Sequence, residues 1–389
     1  MLEKELVIRQ RITRLMISSR LHNPSLCRLF APRMLVAAAL AAMLLVAAAL
    51  SGCSDSLWRG TAPDAGDKGG PGLAGKTRDP SAGGRGTAGT GEGPGATETS
   101  ATETSATPPD ETPPAKLLVF SASRALSHVT HLASKIGPRP EGRGGEERAA
   151  AYISSTLARY GYKPANQAVR LPVGRRSGNV VAVKKGASSA QLVLGAHYDS
   201  KAGSPGANDN ASGVGALLEL ARVLKDADTQ PTVVFVFFGA EEMIDSNPDH
   251  HHYGSRQYVE HLTSAQRANI AGMISVDMIG YGTSFQMRTM GKGPDSIRAM
   301  LHSFARRSGI RAERLRDLGR YGWSDHEPFE LAGVPAVWVE WRDDPVYHTS
   351  RDTAGHISTA RLRTTGLLLQ KFVTSLSKKN VESLLTADR

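Results

Sequence analysis

From about residue 117 onward, the apolar positions of the chain follow two different periods. Ala211 to Leu224 places Val214, Leu217, Leu218, Ala221 and Leu224 along one helical face. Weaker helical patterns cover Ser121–Lys135, Gly144–Tyr160, Gly254–Leu262, Asp295–Ser308 and Thr359–Leu376. Between them lie short apolar runs at Asn179–Val183, Gln191–Gly195, Thr232–Phe238, Gly272–Val276 and Pro335–Trp341. Several are unbroken and rich in Val and Ile, as expected of strands buried on both faces. Their alternation with helices predicts an α/β domain in three layers, a mixed, mostly parallel central sheet covered by helices.

The pattern fails upstream. Between Ser54 and Ala115 the only large apolar residues are Leu57, Trp58 and Leu73, amid Gly, Pro, Ser, Thr and Ala. Such a stretch buries too little apolar surface to offset chain entropy and reads as a disordered tether. Its TETSATETSAT run, Thr97 to Thr107, is too short for a solenoid unit. Before it, Arg20, Arg28 and Arg33 precede an apolar stretch from Met34 to Leu50 that ends Leu50-Ser51-Gly52-Cys53. Basic, apolar and small residues in that order make a secretory signal. The ending resembles the bacterial lipobox, whose cysteine is lipidated and becomes the mature N-terminus. A single membrane anchor and a cleaved soluble protein are the alternatives. The segment before Met34 is long for a signal, which points to Met16 as the start. The expected organisation is therefore a signal with lipobox over 1–52, a lipid-anchored linker over 53–116, a catalytic domain over 117–379 and a tail over 380–389. The product would be an exported lipoprotein on the outer face of a bacterial membrane.

Of the two cysteines, Cys27 leaves with the signal and Cys53 carries lipid, so the mature domain holds neither disulfide nor thiolate metal site. Any metal must sit on His, Asp and Glu. The formal charge is +10, but residues 1–52 hold seven Lys/Arg against two acids and leave with the signal. No basic run interleaved with aromatics follows, which excludes nucleic acid as a partner. A monomer is expected.

Polar residues then interrupt the strand ends. His197 and Asp199 follow the strand ending at Gly195, Glu241 and Glu242 the one ending at Phe238, Asp277 the one ending at Val276. His348 comes after the strand ending at Trp341, and Asp209 lies in a loop before the helix at Ala211. Ligands of open α/β sheets bind outside the carboxyl ends of strands, and four strand ends deliver metal-type side chains to that edge.

Six segments in order carry a resemblance: Gly195-Ala-His-Tyr-Asp-Ser200, Asn208-Asp-Asn-Ala-Ser-Gly213, Gly239-Ala-Glu-Glu242, Val276-Asp-Met-Ile-Gly280, Ser324-Asp-His-Glu-Pro-Phe329 and Tyr347-His-Thr349. Together with Ile136-Gly-Pro-Arg139 upstream, they resemble the co-catalytic zinc peptidases of clan MH. These are bacterial leucyl-type aminopeptidases, glutamate carboxypeptidases and glutaminyl cyclases. The resemblance implies two zinc ions, one on His197 and Asp277, the other on Glu242 and His348, bridged by Asp209. It implies a peptide substrate hydrolysed by a hydroxide bridging the two ions. Glu241 would be the general base and Tyr347 the oxyanion donor, with a packed loop aromatic as the alternative for Tyr347. Asp199 is placed to fix the tautomer of His197. Asp325 and His326 read as supporting structure.

An aminopeptidase is the favoured activity, since a carboxylate-rich site attracts an ammonium. No arginine can be assigned to a substrate carboxylate. A carboxypeptidase, a cell-wall peptide amidohydrolase and a non-catalytic surface binding lipoprotein are the alternatives; a single-metal cyclase fits less well. One departure stands out. Met243 to Tyr253, with Asn247-Pro-Asp-His-His-His252, separates the Glu pair from Gly-Ser-Arg, which usually follow within a few residues. It reads as a solvated loop; the alternatives are a segment that overhangs the pocket and shapes substrate choice, and a histidine run that chelates a stray metal.

Overall fold

The computed structural model describes residues 118–387. The expected export segment, Cys53 and tether lie outside those residues. The described chain forms one eight-stranded sheet in the order β1-β2-β4-β3-β5-β8-β6-β7. Its strands are β1 Ala165–Arg170, β2 Arg176–Lys184, β3 Gln191–His197, β4 Thr232–Phe238, β5 Ile270–Val276, β6 Ser284–Thr289, β7 Glu313–Arg316 and β8 Ala336–Arg342. β4, β3, β5 and β8 run parallel as neighbours at the centre, and β6 and β7 are parallel at one edge. The other pairings are antiparallel, so the sheet is mixed as expected.

Nine helices complete the layers: α1 Ala122–Thr130, α2 Gly144–Arg159, α3 Ser212–Leu224, α4 Tyr253–Glu260, α5 Ser264–Ala268, α6 Ser296–Arg307, α7 His326–Leu331, α8 Thr359–Ser375 and α9 Lys378–Thr386, all among the described residues. The central strands are buried on both faces, and their alternate side chains enter different cores. Leu192, Leu194, Phe235 and Phe237 pack with Leu217 and Leu220 of α3. Val193, Val234, Val236 and Phe238 pack with Tyr258 of α4 and Phe329 of α7. At Gly195 of β3 an added Cβ would lie 2.6 Å from the Phe238 ring, so this strand position requires glycine.

Two expectations change. The segment set apart as a tail forms α9, with Val381 and Leu384 in the core, so the domain continues through it. Three strands carried no readable pattern: β1 and β7 are mostly exposed edge strands, and β6 pairs with β7 as a short alternating run. Half-exposed edges lack the apolar run that marks a buried strand.

Candidate active site

Three neighbouring parallel strands end at one place. His197 closes β3, Glu241 and Glu242 lie three and four residues beyond β4, and Asp277 follows β5 directly. Asp209 enters from the loop before α3, and His348 from the loop after β8. His197 Nε2 lies 3.2 Å from Asp209 Oδ1 and 3.4 Å from Asp277 Oδ1. His348 Nε2 lies 3.0 Å from Asp209 Oδ2 and 3.2 Å from Glu242 Oε2. The two oxygens of Asp209 thus face two separate His–carboxylate groups. Within each group the ligand atoms lie within 4.8 Å of one another.

The loop carrying Asp209 is fastened by its own neighbours. Asp352 accepts the amide N–H groups of Asn208 and Asp209 at 2.7 and 3.1 Å. Asn210 Nδ2 donates to the Val276 carbonyl, while its Oδ1 accepts from Met278 and Gly213. Asn208 Oδ1 accepts from Gly280 at 2.8 Å. The Asn208–Gly213 motif is therefore bolted to the loop after β5, which fixes Asp209 against Asp277. At Gly213 an added Cβ would meet the Val276 carbonyl at 2.0 Å, so the close approach excludes any side chain there. Backbone strain gathers at the same place. Ala240, His252, Met278 and His348 are non-glycine residues in the left-handed region.

Asp199 has a further role beside facing His197. Its Oδ1 and Oδ2 accept the amide N–H groups of Glu241 and Glu242 at 3.1 and 3.0 Å. His197 Nδ1 lies 3.5 Å from Asp199 Oδ1 and makes no hydrogen bond. The carboxylate thus aims the Glu pair more firmly than it orients the imidazole. Asp277 is held by Ser324, whose Oγ donates to its Oδ2 at 2.7 Å. Tyr347, half-exposed, stacks on His348 with ring centroids 3.6 Å apart and lines the pocket. Asp325 and His326 are fully buried outside both groups, with His326 Nε2 3.0 Å from Asp317 Oδ2.

The electrostatics describe a site short of positive charge. Glu241 is held well above the usual carboxylate range by burial; His197 offsets part of this, and Asp325, Glu242 and Asp277 add to it. Glu242 is raised as well, by burial first and Asp209 next. Burial pushes both imidazoles down, yet the surrounding carboxylates raise His197 well above its ordinary value and His348 to about 10. Asp277 Oδ1 and Glu242 Oε1 are buried without a hydrogen-bond partner. Buried carboxylates and imidazoles with spare lone pairs fit divalent cations, and His with Asp or Glu is an ordinary zinc donor set.

The cavity over these groups measures about 250 Å³. Met278, Trp323 and Trp338 form part of its wall, and Arg288 and Arg342 another part. The arginines correct the sequence reading, which found none to place. Arg288 is already engaged, with Asp317 at 2.8 Å and Glu340 at 3.1 Å.

The Met243–Tyr253 insert also departs from expectation. Residues 245–249 are exposed, and His250 pairs with Asp245 at 2.7 Å, but His251 and His252 are buried. His252 Nε2 lies 2.8 Å from Glu241 Oε1. A run of polar residues carried no signal of that burial.

The model of peptidase family M28 matches residues 179–373, half of the chain. The chain belongs to this family. It is 31% identical over 230 residues to aminopeptidase YwaD of Bacillus subtilis, covering 56% of this chain and 48% of that protein. It is 32% identical over 222 residues to the "Probable lipoprotein aminopeptidase LpqL" of Mycobacterium tuberculosis, covering 48% of this chain and 43% of that protein. The chain thus spans about half the length of the curated relatives it matches. Its fold is that of BSAP, a zinc aminopeptidase from Bacillus subtilis, with a TM-score of 0.60 at 20% identity over 68% of this chain and 97% of the other. A glutaminyl cyclase of Bacteroides thetaiotaomicron shares the fold, with a TM-score of 0.59 at 22% identity over 67% of this chain and 100% of the other.

Proposed function

We propose that this chain is a zinc aminopeptidase that hydrolyses the peptide bond next to a free N-terminus. The observation that carries the reading is the division of Asp209, one oxygen toward His197 and Asp277 and the other toward His348 and Glu242. In this reading His197 and Asp277 hold one zinc ion, Glu242 and His348 hold a second, and Asp209 serves both. Zinc held by these residues would supply Lewis acidity for the scissile carbonyl and for water. Glu241, buried and with Oε2 3.8 Å from His197 Nε2, takes the proton from the attacking water and returns it to the leaving amine. Tyr347, on the pocket wall, donates a hydrogen bond to the developing oxyanion.

The carboxylates attract the substrate's ammonium group. Met278, Trp323 and Trp338 suit an apolar first side chain, and Arg288 and Arg342 disfavour a basic one. Arg342, whose side chain is half-exposed and shares Glu340 with Arg288, supports a second reading in which a substrate carboxylate docks there. Export and lipid anchoring through Cys53 belong to the same proposal. They are supported by the basic, apolar, Leu-Ser-Gly-Cys order and by the lipoprotein relative.

Aminoacyl-nitroanilides test this reading. Leucyl- and phenylalanyl-nitroanilide should be cleaved, lysyl-nitroanilide more slowly, the N-acetylated forms not at all, and a chelator should abolish turnover. Cleavage of N-acylated dipeptides alone would favour the carboxylate reading. Turnover of none of these would favour a binding protein.

A further inference from the structure

The insert after Glu242 brings its last histidine back onto Glu241. His252 Nε2 lies 2.8 Å from Glu241 Oε1, and both side chains are buried. The backbone makes the same connection. The His252 N–H donates to the Glu241 carbonyl at 2.8 Å, and the next amide, Tyr253, donates to the Ala240 carbonyl at 2.8 Å. His252 sits at φ 55°, in the left-handed region that a non-glycine residue rarely adopts. A loop whose task was only to span Glu242 and α4 would gain nothing from that conformation. The conformation returns the imidazole over its own backbone contact.

We propose that His252 is a positioning residue for Glu241, fixing Oε1 so that Oε2 stays turned toward the proposed metal centre. The proposal rests on the reading of Glu241 as the base. Among the described residues the other hydrogen bonds to Glu241 are on its main chain: Asp199 accepts its N–H, and the His252 N–H donates to its carbonyl. The side chain has two rotatable bonds beyond Cβ before its carboxyl group, and a single fixed oxygen removes most of that freedom. Oε2, 3.8 Å from His197 Nε2, is then the oxygen left to receive a proton.

The character of the donor matters as much as its place. Burial first, then His251, Arg256, His326 and His197, hold His252 well below its ordinary value, so the ring is neutral. A neutral imidazole whose Nε2–H donates to a carboxylate orients it; an imidazolium would form an ion pair and make the carboxylate a weaker base. In that tautomer Nδ1 carries the lone pair, and it has no hydrogen-bond partner. Glu327 Oε2, the acid facing Nδ1 at 3.7 Å, is occupied by the Gly322 N–H at 2.7 Å, and its Oε1 by Arg256 at 3.0 Å. His251 covers the other face of the ring, with centroids 3.8 Å apart.

The test is a double-mutant cycle on the zinc-loaded full chain with leucyl-nitroanilide. His252→Met and His252→Gln have similar length, and only Gln keeps an N–H donor at that reach. His252→Asn, whose shorter side chain leaves no donor within reach of Glu241, tolerates the left-handed backbone and serves as a second donorless variant should Met fail to fold. The donorless variants should lose roughly 10- to 100-fold in kcat, with KM and zinc content nearly unchanged, and Gln should recover most of the loss. In a Glu241→Gln background, His252→Met should cost nothing further, because the group it positions is gone. Native kcat in the folded donorless variants would overturn the proposal. So would the same fold-loss in both backgrounds, which marks a packing role. Near-native turnover of Glu241→Gln alone would instead remove the base reading on which the proposal rests.

Discussion

Ser324 reaches Asp277 from 47 residues further along the chain and donates to its Oδ2 at 2.7 Å. Ser275 Oγ lies 2.8 Å from Ser324 Oγ, so the two serines form a buried rail behind the carboxylate. Asp277 Oδ1, the oxygen facing His197, keeps its lone pairs free. Ser324→Ala should therefore leave the fold intact and weaken zinc retention on the His197 side by roughly 10- to 100-fold, the usual cost of losing such a support. Competition with a fluorescent chelator measures this. Native retention would show that the serine only fills space.

Asp209 makes a sharper distinction between single and shared ligands. Asp209→Asn should lower the zinc content of both groups together. His348→Ala should remove mainly one ion, because His348 faces only Asp209 and Glu242. Zinc per chain after gel filtration separates these outcomes. Two ions retained in Asp209→Asn would contradict a shared carboxylate.

Arg139 is fully buried and donates to five carbonyls, those of Leu132, Gly137, Tyr198, Pro205 and Gly206. It ties the segment before α2 to the loop that runs from β3 to Asp209. Arg139→Met would strand those carbonyls and should destabilise the domain by roughly 3–5 kcal/mol in denaturant unfolding. Unfolding at a native midpoint would mean that the loops find other donors.

The contrast between what was and was not legible in the sequence follows from how each residue reaches the site. His197, Glu242 and Asp277 stand beside buried strands whose apolar runs announce them, so their shared edge could be read from order alone. Asp352, Ser324 and Arg139 act mostly across long sequence separations through hydrogen bonds to loops, which leave no period. His252 looked solvated because its neighbours are polar. Its burial arises from two backbone hydrogen bonds to Ala240 and Glu241 that no local pattern encodes. The edge strands β1 and β7 failed for the complementary reason, since they expose most of their side chains.

His128 gives the domain a pH dependence away from the site. It is buried, with Nδ1 2.7 Å from the Tyr152 hydroxyl and Nε2 3.1 Å from that of Tyr160. Burial, then Arg159, His131 and Arg124, lower it from its ordinary 6.5 to about 4. The unfolded chain therefore takes up this proton first. The stabilisation is fully present above pH 6.5 and is lost as pH falls toward 4, by up to about 3 kcal/mol. Relative to His128→Gln, the parent should lose stability more steeply across that window. Equal slopes in chemical denaturation would contradict the burial of a neutral imidazole.

In the proposed mechanism Glu241 moves the proton while its neighbour Glu242 holds metal. Gln is nearly isosteric with Glu but cannot take a proton from water. The decisive measurement is kcat of zinc-loaded Glu241→Gln on leucyl-nitroanilide, with zinc content read from the same sample. Two zinc ions per chain, an unchanged fold and a loss in kcat of roughly 10²–10⁴-fold or more are expected, with KM far less affected. Turnover within a few-fold of the parent, with both ions in place, would contradict that mechanism.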